Sequence, residues 1–202
     1  MGKILILNGS PREPRSNSKQ YAALFAKASR MDTEYRAITK TNHLELCRAA
    51  ADCDQLLLVF PLYADSPPVT LLHFLRALAE HPPAEKPRVS VLINCGFLEP
   101  EQNDVAVEII QAFCQANGYP FGSVLEIGGG EAILNTPFAF LVRRKIGKLA
   151  AAMATGRSRR LKVTMPITKK MYLGASTTYW ENYGKRNGIT RAQMETMEIE
   201  GR

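Results

Sequence analysis

Residues 3–18, Lys-Ile-Leu-Ile-Leu-Asn-Gly-Ser-Pro-Arg-Glu-Pro-Arg-Ser-Asn-Ser, decide how the chain is read. The apolar run Ile4–Leu7 has the length of a buried strand, and Asn8-Gly9 stops it. An amphipathic segment from Tyr21 to Ala28 follows. Strand, polar turn and helix together aim the unpaired N–H groups and the positive dipole end of the helix at the turn, which makes an anion site. Ser10, Ser16 and Ser18 offer hydroxyls, Asn17 an amide, and Arg12 a guanidinium that can grip two oxygens at once. Gly9 permits a positive φ, while Pro11 and Pro14 stiffen the turn. A terminal phosphate monoester, a dianion that wants many donors, suits this loop. The same residues also make a plain Ser/Pro-rich connection capped by Ser16 or Asn17.

Working outward, the same pattern repeats. A weaker strand is expected near Thr33–Ile38 and a helix from Thr41 to Cys53. Gln55–Phe60, QLLLVF, is a continuous apolar strand that breaks into Pro61-Leu62-Tyr63-Ala64-Asp65-Ser66-Pro67-Pro68. Leu71, Leu72, Leu75 and Leu78 recur at helical spacing. Arg88–Asn94, RVSVLIN, is a further strand and leads into Cys95-Gly96-Phe97-Leu98-Glu99-Pro100. A helix from Glu101 to Asn117 should end at Gly118. Phe121–Ile127 is the fifth strand, and residues 137–155 supply the last crossover helix. Gly128–Gly130 is a candidate anion turn, with a tight strand exit as the stronger reading.

Five strands alternating with helices imply a parallel sheet covered on both faces. The expected fold is α/β, a flavodoxin-like three-layer α/β/α sandwich with a five-stranded sheet in the order 2-1-3-4-5. Residues 1–156 form that domain. Residues 157–202 form a C-terminal helical extension, too short to bury its own core. In this fold a ligand lies at the carboxyl ends of the strands, near the switch between the first and third. The three loops richest in Gly, Pro, Ser and Asn follow strands one, three and four, so all open on that edge.

Composition narrows the function. The chain has 202 residues, 46% hydrophobic and 22% charged, as in an ordinary soluble globule. No apolar run approaches the roughly 20 residues that a spanning helix needs. No cleavable leader is apparent, and a cytoplasmic location is expected. Cys47, Cys53, Cys95 and Cys114 lack the close spacing of a zinc knuckle, a redox pair or an iron–sulfur motif. His43, His73 and His81 are scattered. The net charge is +7, with ten Lys/Arg and no acidic residue between Ala132 and Trp180. A solvated basic surface explains this stretch best; a nucleic-acid footprint over Arg143–Lys162 lacks a recognition motif.

The second loop adds an aromatic, Tyr63, and Asp65 in a proline-braced turn, although Asp65 or Ser66 could simply cap the next helix. The third loop adds Gly96 for close backbone approach, with Asn94 and Glu99 as polar arms. A phosphate pocket beside a rigid aromatic turn fits a planar monophosphorylated heterocycle, and FMN is the natural candidate. Gly-x-Gly-x-x-Gly does not follow the first strand, and no Gly-Lys-Ser/Thr follows any strand, which argues against a dinucleotide fingerprint or a P-loop.

These stretches, KILILNGSPREPRSNS, VFPLYADSPP and INCGFLEPEQND, resemble the flavodoxin-like NAD(P)H-dependent FMN reductase family over about residues 3–135. The resemblance implies that Ser10, Arg12, Ser16, Asn17 and Ser18 bind the FMN phosphate. It places Pro61, Leu62, Tyr63, Ala64 and Asp65 along the isoalloxazine, and Asn94, Cys95, Gly96 and Phe97 at its other edge. Tyr63 and Asn94 are the groups expected near the ring; Cys95 reads better as a small buried thiol. The implied activity is hydride transfer from NAD(P)H to bound flavin, then electron transfer to a quinone, flavin or other small acceptor. No side chain is assigned acid–base work, because the flavin carries the chemistry. The alternative is a flavin-binding electron-transfer or sensor protein without turnover. Expected partners are a small-molecule acceptor and further copies of the chain, as homodimer or homotetramer. Neither a membrane nor a nucleic acid is expected. The iron–sulfur branch of the family is excluded because its compact cysteine motif is missing, and the last 65 or so residues match no reductase pattern.

Overall fold

A computed structural model describes residues 2–196; the final six positions of the expected extension lie outside the described residues. Six parallel strands form one sheet: β1 (Lys3–Asn8), β2 (Asp32–Ala37), β3 (Gln55–Pro61), β4 (Arg88–Asn94), β5 (Phe121–Ile127) and β6 (Arg160–Val163). Their order is β2-β1-β3-β4-β5-β6. The expected 2-1-3-4-5 order holds, and the sheet has one strand more than expected. β6 pairs with β5 from Val124↔Arg160 to Ile127↔Val163. The chain divides into two compact units, Met1–Met165 and Pro166–Arg202. Residues 157–165, read from sequence as the start of the extension, therefore complete the sheet. Arg-Leu-Lys-Val is short and half charged because an edge strand needs only partial burial.

The central strands are apolar because they are covered on both faces. Ile4–Leu7, Leu56–Phe60 and Val91–Ile93 are all at most 1% exposed. Alternate side chains point to opposite faces. Leu5, Leu7, Leu58, Phe60, Val91 and Ile93 meet α2 (His43–Ala51), α3 (Val69–Glu80) and α4 (Asp104–Asn117) in one core cluster. The other face is covered by α1 (Asn17–Ala28) and α5 (Ala139–Ala154), which pack beside each other. Tyr21, Ala22 and Phe25 of α1 and Val142, Ile146 and Leu149 of α5 are buried there. A 3-10 turn, Pro100–Asn103, precedes α4, and Gly118 closes that helix in the left-handed region at φ 68°.

The second unit contains α6 (Lys169–Arg186), capped by Thr168, and the short α7 (Arg191–Met194), whose Thr190 and Gln193 make a reciprocal capping box. On α6 the rings of Tyr179 and Tyr183 stack, and Trp180 meets both edge to face. Among the described residues no helix is long and apolar enough to cross a membrane.

Candidate functional site

The site forms where β1, β3, β4 and β5 end on the same edge. Asn8, at the end of β1, is fully buried and organises the first turn. Its side-chain oxygen accepts from the Ser10 N–H at 2.9 Å, and its amide donates to Glu13 at 3.0 Å. Glu13 also accepts from the hydroxyls of Ser16 and Tyr35 and pairs with Lys19 at 3.1 Å. Ser16 is the cap of α1, its Oγ accepting from the Lys19 N–H. Its hydroxyl is thus already held on the Glu13 side of the turn. Ser18 differs: it is 1% exposed and its Oγ has no hydrogen-bond partner.

After β3 the chain turns through Tyr63 and Ser66, whose backbones exchange two hydrogen bonds at 3.1 and 3.0 Å. Ala64 and Asp65, the central residues, lie in the left-handed region at φ 46° and 58°. That is the geometry of the tight hairpin turn whose two central residues both carry positive φ. The next loop is tied on both sides. Leu62 N–H donates to Asn94 O at 2.8 Å, and Cys95 N–H to Ile127 O at 3.0 Å. Gly129 and Gly130 return hydrogen bonds to Phe97 O and Cys95 O. A Cβ at Gly130 would stand 2.7 Å from Cβ of Asn94, so only glycine permits this approach. Tyr21 OH donates to Gly130 O at 2.6 Å and ties α1 to the same loop.

These loops enclose a cavity of about 780 Å³. Ser10, Arg12, Ser16, Asn17, Ser18, Pro61, Leu62, Tyr63, Asn94, Cys95 and Gly96 line it, so eleven of the fourteen expected residues come together. Ala64, Asp65 and Phe97 are not in the lining. The first two form the tip of the tight turn, and Phe97 is 54% exposed. Pro14, Arg15, Lys19, Gln20, Ala23 and Glu131 line the cavity without having been expected. Arg15 lies inside the quoted loop. Gln20 and Ala23 continue the α1 face that Asn17 begins, one helical turn at a time. Glu131 follows Gly128–Gly130, which read more strongly as a strand exit.

Arg12, Arg15 and Lys19 stand at the α1 end, and Glu131 lines the cavity as its one carboxylate. Burial pushes the Cys95 thiol up from its ordinary value, so it stays protonated. Asn103 Nδ2 lies 3.4 Å from its sulfur, and the residue fits the buried-thiol reading. Burial, then the neighbouring Cys95 and Glu131, likewise raises the Tyr21 hydroxyl. Asn94, 5% exposed, keeps an unpartnered Oδ1. Among the described residues seven buried side-chain polar atoms lack a partner, and two of them belong to residues that line this cavity.

No sequence-family profile matches the chain, and no curated protein matches it. Solved structures do. An FMN-dependent NADH-azoreductase from Bacillus anthracis, in complex with FMN, matches 78% of this chain and all of its own, with TM-score 0.56 at 15% identity. A flavodoxin of Streptococcus pneumoniae TIGR4 matches 76% of this chain and 98% of its own, with TM-score 0.56 at 14% identity. The fold is flavodoxin-like. An NAD(P)H:quinone oxidoreductase from Methanothermobacter marburgensis shares the flavodoxin-like architecture, with TM-score 0.57 at 14% identity over 77% of this chain and 94% of its own. At such identities the likeness carries the architecture, and the site must be argued from its own residues.

Proposed function

We propose that this protein is an FMN-dependent NAD(P)H oxidoreductase. The observation that carries the reading is Ser18: a buried, unpartnered hydroxyl in the first turn of α1, lining a cavity that also holds Arg12 and Arg15. A phosphate monoester supplies the acceptor that this hydroxyl and the first N–H groups of α1 lack. Ser10, Arg12, Arg15, Asn17 and Ser18 would hold the phosphate, while Ser16 shapes the turn from behind as cap. Pro61–Tyr63 would lie along the ring, with Asn94–Gly96 at its edge and the Asn94 oxygen free to accept a ring N–H. The flavin, when bound, supplies hydride and single-electron chemistry. The chain's own residues bind and orient it: the Tyr63–Ser66 turn and the Gly130–Asn94 approach fix the two walls. Cytoplasmic action, a small-molecule electron acceptor and assembly as a homodimer or homotetramer belong to the same proposal. Exposed Tyr63 and Phe97 near the site support assembly, because an apolar rim of this kind suits a subunit contact.

The test is a visible spectrum of the purified protein after FMN addition and removal of the excess, followed by anaerobic NADH and NADPH. Retained flavin that bleaches rapidly supports the oxidoreductase and identifies the preferred nicotinamide. Retained flavin that does not bleach favours the carrier or sensor. Absence of flavin binding in direct titration overturns the proposal.

A further inference from the structure

The helical layer made by α1 and α5 carries six cations, Lys19, Lys27, Arg143, Arg144, Lys145 and Lys148, and no carboxylate. Lys19 is paired with Glu13. Among the described residues the four cations of α5 meet no acidic partner. The fold gives them little local support either. They precede the last turn of α5, which is where the helix dipole favours positive charge. Arg143, Arg144 and Lys148 are exposed, on the face opposite buried Val142, Ile146 and Leu149. Phe140 precedes Arg143 and Arg144 by three and four residues, so it shares their face, and it is 60% exposed. A cationic helical face with an aromatic residue among its charges suits the plane of a bilayer interface, where apolar groups enter and cations meet lipid phosphates.

We infer that the protein binds reversibly to anionic membrane surfaces through the outer face of α5. The sequence-level expectation left membranes out because no spanning helix is present; a surface contact needs none. A nucleic acid is the weaker occupant. Phe140 is the one aromatic side chain exposed on the two helices of this layer, which leaves no run of rings for successive bases to stack on.

Flotation of the full-length protein with vesicles of phosphatidylcholine, with and without phosphatidylserine, tests the inference and needs no flavin. It therefore stands or falls apart from the proposed activity. Binding should require phosphatidylserine and weaken as salt shortens the Debye length. The Arg143→Gln/Arg144→Gln/Lys148→Gln variant should bind roughly 100-fold more weakly. Phe140→Ser should reduce binding less, and Arg48→Gln/Arg76→Gln, on the opposite layer, should leave it unchanged. The inference is overturned by no binding, by equal binding to both vesicle types, or by an α5 variant that binds like wild type. Tighter binding to duplex DNA or single-stranded RNA than to vesicles at equal salt also overturns it.

Discussion

In the layer of α2, α3 and α4, Arg76 meets Glu80 at 2.9 Å, and Asp104 meets Arg160 at 2.7 Å and Lys162 at 3.0 Å. Across the sheet, in the layer of α1 and α5, the four cations of α5 stand without carboxylates among the described residues, and Ser18 beside the cavity keeps an unanswered hydroxyl. The first layer pairs charges within the fold; the second carries α5 cations that meet no acidic partner among the described residues. The difference separates what holds this fold from what the fold holds. Substitutions in the first layer should act on stability, and substitutions beside the cavity on binding.

The largest effect should come from Phe74→Ala on α3. The side chain is fully buried in the closed layer, and its loss should cost about 3–5 kcal/mol in denaturant unfolding. FMN affinity of the remaining folded protein should hold, and a parallel loss of affinity would break the separation. Arg12→Gln should do the reverse. We expect about 2 kcal/mol less FMN binding, with unfolding midpoint and riboflavin affinity unchanged, since riboflavin has no phosphate to lose.

Glu126 sharpens the comparison from inside the closed layer. It is fully buried on β5, with Arg160 Nε at 2.7 Å, and burial pushes its carboxyl up to about 7. Between its ordinary value and about 7 the native state holds a proton that the unfolded chain releases. Stability should therefore fall as pH rises through that window, by on the order of 2 kcal/mol. Glu126→Gln should flatten that slope in unfolding curves taken from pH 5 to 8. The smallest effect belongs to Tyr21→Phe, which frees the Gly130 carbonyl. About 1 kcal/mol of stability should be lost, together with a weaker grip on FMN, measurable by titration.

Much of this was legible because the central strands write their burial plainly: QLLLVF and RVSVLIN have no other reading in a covered sheet. The edge strand β6 was not. Its Arg160 and Lys162 answer Glu126 and Asp104, partners that appear only after folding. The three loops could be placed because each follows a strand on the same edge. Most of the loop residues that line the cavity could be named, but not all. Ala64 and Asp65 depend on a left-handed turn that their side chains do not advertise, and Glu131 on a hydrogen-bonded clasp between two distant loops.

The four buried thiols give the molecule a set of internal clocks. Cys47, Cys53, Cys95 and Cys114 are all buried, and burial raises each of them, so in the closed state a thiol reagent meets little surface and almost no thiolate. Labelling should proceed mainly during excursions that uncover a sulfur. Cys95 should report the breathing of the clasped loops, slowed by a bound ligand. Cys114, deep on α4, should keep time with unfolding of the whole domain.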